Sequence, residues 1–380
     1  MKRRSFLKKA AAGLAVGSVA APVFGQAPTV VSSQPTVNWR MAASWPKSLD
    51  TLFGGVELIC RRVGEITDGK FQIRGFAAGE IVPGLQVLDA VQAGTVECGH
   101  TASYYYFGKD PAFGFGTAVA FGGNARQQAA WWLHGGGAEA MAPLFKDYGC
   151  IAMMAGNTGC QMGGFWRKEI KTVADLKGVK FRIGGMTGVI LAKLGVVPTQ
   201  LAAPDIYPAL EKGTIDAAEW VGPYDDEKLG LNKVAKYYYY PGWWEGGPMT
   251  HCLVNEKKWA ELPKQFQSAL QVACNEAALW MPAKYDALNP AALRRLVAAG
   301  TQLRPFSRAV LEACEKAAYE TYAEFEAKSP HFKRVYSDWK KFRDEQFLWF
   351  RVAEHTYDNY VSNSKIGQPA APAKAAAKQG

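Results

Sequence analysis

The chain has 380 residues, 48 % of them hydrophobic and 21 % charged, with a formal net charge of +10. That length exceeds one compact core and predicts two lobes. Lys2, Arg3, Arg4, Lys8 and Lys9 supply five of the charges; the rest, about +5, is spread thinly with no run of five or six basic residues, which excludes a nucleic-acid footprint.

The first nine positions hold RRSFLK (3–8), and an apolar stretch runs from Ala10 to Phe24. Twin arginines ahead of a short apolar run look like a twin-arginine export signal over residues 1–25. No later segment reaches about 18 unbroken apolar residues. The mature chain is therefore expected to start near Gln26, soluble and periplasmic, with an uncleaved signal anchor as the alternative. Seven cysteines, at 60, 98, 150, 160, 252, 274 and 314, form no CxxC pair. No metal or redox spacing is visible; one bridge is allowed, but buried thiols are expected.

Residues 26–36 read as a linker rich in Pro, Ser and Val. Val37–Ser44 reads as a strand, and Leu52–Thr67 as a helix through Leu52, Val56, Ile59, Cys60 and Val63. Asp68-Gly69 is a turn, Phe71–Phe76 a strand, Leu85–Ala93 a helix capped by Gly94, and Thr95–Thr101 a strand that leads into the aromatic run Tyr104–Phe107. LDAVQAGTVECGHT (88–101) aligns without gaps to YPALEKGTIDAAEW (207–220). Two such helix–glycine–strand units predict two similar α/β lobes, 37–152 and 153–245, with segments after 245 returning to the first. In open α/β sheets, strand ends face a crevice, which here puts His100/Thr101 and Glu219/Trp220 in paired positions.

In the second lobe DLKG (175–178) is a turn before strand Val179–Ile183, and Gly188–Leu194 is a helix ending at Gly195. Beyond Pro248 the pattern is helical: Lys257–Ala283, Pro290–Gly300, Arg308–Lys328 and His331–Ser362. Val335, Trp339, Phe342, Trp349, Ala353, Tyr357 and Tyr360 recur near a 3.6-residue spacing, a stripe that must be buried across both lobes or against a second subunit. The tail, 363–380, is Ala/Pro/Lys-rich and is expected to be disordered.

Arg182 ends a predicted strand in KFRIGG, where a planar guanidinium can hold a carboxylate through two parallel hydrogen bonds. Glu219, between Ala218 and Trp220, and Glu245, in GWWEGG, are acids in apolar settings that need a partner. Gln161 in NTGCQMGG adds an amide oxygen. Oxygen donors without His or Cys select a hard cation. The Tyr104–Tyr106 and Tyr237–Tyr240 runs, and Trp243 and Trp244, read mainly as packing residues. Enzyme motifs are lacking: the five histidines make no HExxH, and there is no G-x-S-x-G, P-loop or dinucleotide fingerprint. Asp225-Asp226 beside Lys228 reads as a solvated face.

YYYFGKDPAFGFGTAVAFGGNARQQ (104–128), AGNTGCQMGGFWRKEIKT, FRIGGMTG, GTIDAAEWVGPYDDEKLGLNKVAKYYYYPGWWEGG and NPAALRRL strongly resemble the solute receptors of TRAP transporters, over about residues 37–360. The match is nearest to the subgroup that binds 2-oxo acids such as pyruvate. The resemblance implies a two-lobed periplasmic-binding-protein fold of the α/β class with long C-terminal helices, closing on its solute and delivering it to membrane permease subunits, without enzyme activity. It implies Arg182 on the solute carboxylate. Gln161, Glu219, Glu245 and the main chain of Trp220 would hold a cation, sodium ahead of calcium. Trp220, Gln161, Tyr105 and Asn157 would line the solute. It further implies a helical region at 246–362 that crosses both lobes and forms a homodimer. The alternatives are a receptor for a 2-hydroxy acid such as lactate with calcium, a signalling receptor, and a periplasmic enzyme exported by the twin-arginine route.

Overall fold

A computed structural model describes residues 35–364 and 366. The leader, the linker before Pro35 and the tail past Ile366 lie outside the described residues. In chain order the first elements are β1 (Val37–Ala43), α1 (Leu52–Ile66), β2 (Phe71–Phe76), α2 (Val87–Gln92), β3 (Cys98–Thr101), α3 (Phe113–Thr117), α4 (Ala125–His134), α5 (Gly137–Asp147) and β4 (Cys150–Asn157). Then come β5 (Phe165–Trp166), β6 (Lys180–Arg182), α6 (Thr187–Ala192), β7 (Val197–Thr199), α7 (Ala203–Glu211), β8 (Ala217–Ala218), α8 (Pro223–Lys228) and β9 (Tyr237–Tyr240). The last part holds β10 (Met249–Asn255), α9 (Glu256–Glu261), α10 (Lys264–Ala298), β11 (Gln302–Pro305), α11 (Arg308–Lys328), α12 (Pro330–Val352) and α13 (Glu354–Asn363).

The strands make two sheets, β2-β1-β3-β10-β4 and β11-β9-β5-β8-β6-β7. In the first, β1 is parallel to β2 and β3, and β10 is antiparallel to β3 and β4. In the second, β6 is parallel to β7 and β8, and β5 is antiparallel to β8 and β9. Parallel neighbours need a crossover. α1 supplies one between β1 and β2, burying Leu52, Val56, Ile59 and Val63 at helical spacing. The two copies of the repeated segment form α2–β3 and α7–β8. Each strand has a parallel neighbour on one side and an antiparallel one on the other, so the repeat marks equivalent places in two similar sheets.

β4 and β10 have no counterpart in the sequence reading, and β4 runs across the limit drawn at 152/153, staying in the first sheet to Asn157. β10 inserts between β3 and β4 after the chain has passed through the second sheet. All seven of its residues are buried. A strand covered on both faces shows no alternation, which hides it from a period-2 search.

The predicted break between 283 and 290 is absent. α10 continues for 35 residues through Pro282 and Pro290, roughly 50 Å of helix at 1.5 Å per residue. An interior proline costs about 3 kcal/mol. Burial of Met281, Tyr285, Ala292 and Leu296 around the two prolines offsets that cost. α10 packs on α1 and β4 at one end and on α8 at the other.

The C-terminal stripe divides in two. Val335 and Trp339 are buried on the first lobe, where Phe115 meets Phe332 and Trp339. Trp349, Tyr357 and Tyr360 are exposed, with Leu348 and Val352 beside them. The helix also breaks at Ala353 (φ −89°, ψ −81°), separating α12 from α13. All seven cysteines are unpaired, five of them buried.

Candidate functional site

Four strand ends converge. β1 runs out into Ser44–Trp45, β3 into Ala102–Tyr105, β6 into Ile183–Gly185 and β8 into Glu219–Trp220, the edge at which open α/β sheets present ligands.

Arg182, the last residue of β6, is fully buried. Its Nε donates to the Leu201 carbonyl at 3.1 Å and its Nη1 to the Glu219 carbonyl at 2.7 Å. Nη1 also pairs with Glu219 Oε1. The guanidinium carbon lies 5.0 Å from the centre of the Trp220 ring. Register places Arg182 opposite Ala218, so the arginine and Glu219 come from the ends of adjacent parallel strands. Burial pushes the Glu219 carboxyl up to about 7, against the opposing pull of Arg182 and the Gly184 N–H.

Gln161 and Glu245 sit on two loops that are joined through the main chain. Gln161 N donates to the Glu245 carbonyl at 3.1 Å, and Gly242 N donates to the Gln161 carbonyl at 2.9 Å. The Gln161 side chain gives its Nε2 hydrogen to Thr158 Oγ1 at 2.9 Å, which points its oxygen the other way. Burial, then the Glu219 charge, holds the Glu245 carboxyl well above the usual carboxylate range; Arg182 and the Tyr104 hydroxyl oppose this.

The polar atoms left over matter most. Buried polar atoms without partners are rare in folded proteins. Among the described residues they include Arg182 Nη2, Glu219 Oε2, Glu245 Oε2 and Gln161 Oε1. One guanidinium nitrogen and three oxygen acceptors, on four residues singled out in the sequence, are thus held ready for a partner. Trp220 Nε1 is also buried without a partner, near the Asp225 carboxyl, and the ring face of this residue lies against Arg182.

Asn157 departs from the expectation. Its Nδ2 donates to the Gly247 carbonyl at 2.9 Å and its Oδ1 accepts from Gly159 N at 2.8 Å. Both amide atoms brace the loops that carry Gln161 and Glu245. Two tyrosines of the aromatic run face the site, not one. Tyr105 lies within reach of the Arg182 charge, and burial pushes its hydroxyl up to about 12. The Tyr104 hydroxyl faces the Glu245 carboxyl, and its ring fills the GG bend: a Cβ on Gly184 would stand 2.2 Å from Tyr104 Cε2. Tyr106 turns away, taking the Leu88 N–H at 3.0 Å and meeting Thr101 Oγ1 at 2.9 Å. Thr101 and His100 are likewise fully buried supports behind the crevice.

Asp225-Asp226 is not a solvated face. Both are fully buried at the start of α8, and each takes a tyrosine hydroxyl at 2.6 Å: Tyr285 on Asp225, Tyr238 on Asp226. Burial pushes their carboxyls up to about 6 and about 8. These partners are 60 and 12 residues away, beyond any local signal.

Sequence reasoning missed Trp45 and Gln200. Gln200 donates to the Tyr105 carbonyl at 3.1 Å and accepts from Gly185 N at 3.2 Å, tying the two lobes together beside the site. A second tie joins Asp50, just before α1, to Tyr224 at 3.2 Å and to Lys228, both on α8. Trp45 stands after β1 as Trp220 stands after β8, so the strand-end rule applied to the first strand would have found it. Trp243 and Trp244 pack, as expected: Trp243 stacks on Phe121 at 5.0 Å and Trp244 meets Phe181.

Residues 41–329 match the family model for bacterial extracellular solute-binding proteins, family 7 (DctP). The monocarboxylate 2-oxoacid-binding periplasmic protein of Nostoc sp. is 52 % identical over 365 residues, covering 96 % of this chain and all of that one. A TRAP transporter solute-binding protein from Bordetella bronchiseptica was crystallised as a mixed-occupancy dimer, one site holding calcium and picolinate. It is 53 % identical, with a TM-score of 0.86 over 87 % of this chain and 98 % of its own. A TRAP periplasmic solute-binding protein from Pseudoalteromonas atlantica, with bound sodium and pyruvate, is 38 % identical, with a TM-score of 0.83 over 85 % of this chain and 99 % of its own.

Proposed function

Because the chain belongs to the DctP family, the bacterial extracellular solute-binding proteins of family 7, we propose that its two lobes close on a small 2-oxo monocarboxylate, pyruvate or a longer acid, bound together with one hard cation. The chain is a periplasmic solute receptor of a TRAP transporter, partnered by a membrane permease, and is not an enzyme. The observation that carries the reading is a group of buried polar atoms left unpaired at the strand ends and the two joined loops: Arg182 Nη2, Glu219 Oε2, Glu245 Oε2 and Gln161 Oε1.

Charge balance says what fits them. Glu219 and Glu245, once ionised, and a solute carboxylate exceed Arg182 by two negative charges, and burial makes that excess costly. A sodium ion halves that excess and a calcium ion removes it, and these oxygen donors suit either. In this arrangement Arg182 orients the solute carboxylate, and Gln161, Glu219, Glu245 and the Trp220 main chain hold the ion. Tyr104 and Tyr105 cover the solute, while Asn157 braces the loops. The bound ion supplies positive charge shared with the solute's 2-oxo and carboxylate oxygens. Picolinate and pyruvate, seen in the two related structures, share that head: a carboxylate oxygen and an adjacent donor spaced for a five-membered chelate.

A thermal-shift screen tests this. Purified protein is expected to melt about 5 °C higher with excess pyruvate plus sodium or calcium. Either component alone, or lactate in place of pyruvate, should give a smaller shift. Equal stabilisation by pyruvate in chelator-treated, sodium-free buffer would refute the shared site.

Export and assembly complete the proposal. Export uses the twin-arginine route through Arg3 and Arg4, so lysine at both positions is expected to leave the chain in the cytoplasm on fractionation. The exposed face of Leu348, Trp349, Val352, Tyr357 and Tyr360 pairs with the same face of a second copy. An apolar patch of that extent marks an interaction surface, and the related Bordetella structure is a dimer. Light scattering should give twice the chain mass, falling to one chain when Trp349 and Tyr360 become lysine.

A further inference from the structure

Resting on the 2-oxo-acid reading, we propose that Trp45 is the specificity-determining wall that limits the carbon chain of the solute. Around Arg182 the polar atoms awaiting a partner come from the second lobe: Arg182, Glu219, Gln161 and Glu245. The first lobe faces them with aromatic rings. Trp45 lies 6.3 Å from the Trp220 ring and 6.0 Å from the Tyr105 ring, centre to centre. It therefore stands across from the Trp220 ring that backs the Arg182 guanidinium. A solute whose carboxylate and 2-oxo group are held by the second lobe must turn its remaining carbons toward this side.

Tyr104 and Tyr105 bring hydroxyls to the site, whereas Trp45 presents only carbon. Its Nε1 is already committed, donating to His100 Nδ1 at 2.7 Å, and His100 Nε2 donates to the Ala155 carbonyl at 3.1 Å. Burial lowers the His100 pKa, which keeps the ring neutral, and the Ala155 carbonyl at Nε2 fixes the tautomer whose Nδ1 accepts from Trp45. The indole is thus pinned by a hydrogen-bonded chain running back into the first sheet. A pinned wall cannot swing aside for a longer chain, so it sets a length limit and does not merely fill space. One methylene in such an apolar enclosure discriminates by about 10- to 200-fold.

The test is the ratio of dissociation constants for pyruvate and 4-methyl-2-oxopentanoate, measured by calorimetry with saturating sodium. Trp45→Ala is expected to shift that ratio by about 10-fold or more toward the longer acid. Trp45→Phe, which keeps an aromatic wall, is expected to shift it less and serves if the alanine variant does not fold. Equal weakening of both acids would mean that Trp45 only supports the fold, and an unchanged ratio that it does not touch the solute; either overturns the inference alone. A wild-type protein that binds neither acid would instead sink the solute reading and the wall with it.

Discussion

Arg182→Ala is expected to weaken pyruvate binding by about 100-fold or more, on the order of 3 kcal/mol. The size follows from burial. Arg182 is fully buried, and two of its three nitrogens are already spent on Leu201 and Glu219. Only Nη2 remains for a solute, yet the whole guanidinium charge faces the site. Without it, a solute anion would enter a water-poor space beside Glu219 and Glu245 with only the cation to offset it. The contrast with Arg295 sets the scale. That residue pairs with Glu227 at 2.5 Å, but its side chain is 55 % exposed, and such pairs contribute about 0–1 kcal/mol. Arg295→Ala should leave solute affinity unchanged. Arg182→Lys should fall between, because an ammonium keeps the charge and loses the planar fork. Calorimetry giving Arg182→Ala an affinity close to wild type would remove this arginine from the site.

Why could Arg182 and Glu219 be picked out beforehand, when Asp226 could not? Both of the former sit at the ends of short strands flanked by glycine, alanine or tryptophan, and the repeat at 88–101 and 207–220 marked one of those strands together with its counterpart in the other lobe. Local pattern suffices where a charged side chain stands at a strand end beside a glycine bend. It also sufficed for β2 and α11, whose limits match the periodicity, since each exposes one face and buries the other. It failed where both faces are buried, as in β10, and where distant packing outweighs a local rule, as at Pro282 and Pro290 in α10. Asp225 and Asp226 resemble surface acids because nothing near them in sequence reveals Tyr285 and Tyr238. Asn157 is the converse case. It lies in the right loop, yet its amide is committed to Gly247 and Gly159, a commitment visible only in three dimensions.

Glu219→Gln isolates the cation from the anion. The substitution keeps the shape of the side chain and one oxygen, and removes one negative charge from a site where Glu245 supplies the other. Two consequences oppose each other. The ion loses a charged ligand, and amide oxygens alone hold a hard cation weakly. The Arg182 guanidinium is freed from its buried partner and acts on the solute carboxylate undivided. In the wild type a cation should strengthen pyruvate binding by about 100-fold, the order expected when one of two buried like charges is neutralised. In Glu219→Gln the same addition is expected to change affinity by only about tenfold, because the charge excess that called for the ion has been halved. Cation-free affinity should meanwhile rise above that of cation-free wild type. Calorimetry on both proteins, with and without sodium and calcium, decides the matter. A variant that still needed the ion as strongly as wild type would place the cation away from Glu219 and leave this carboxylate as the structural partner of Arg182.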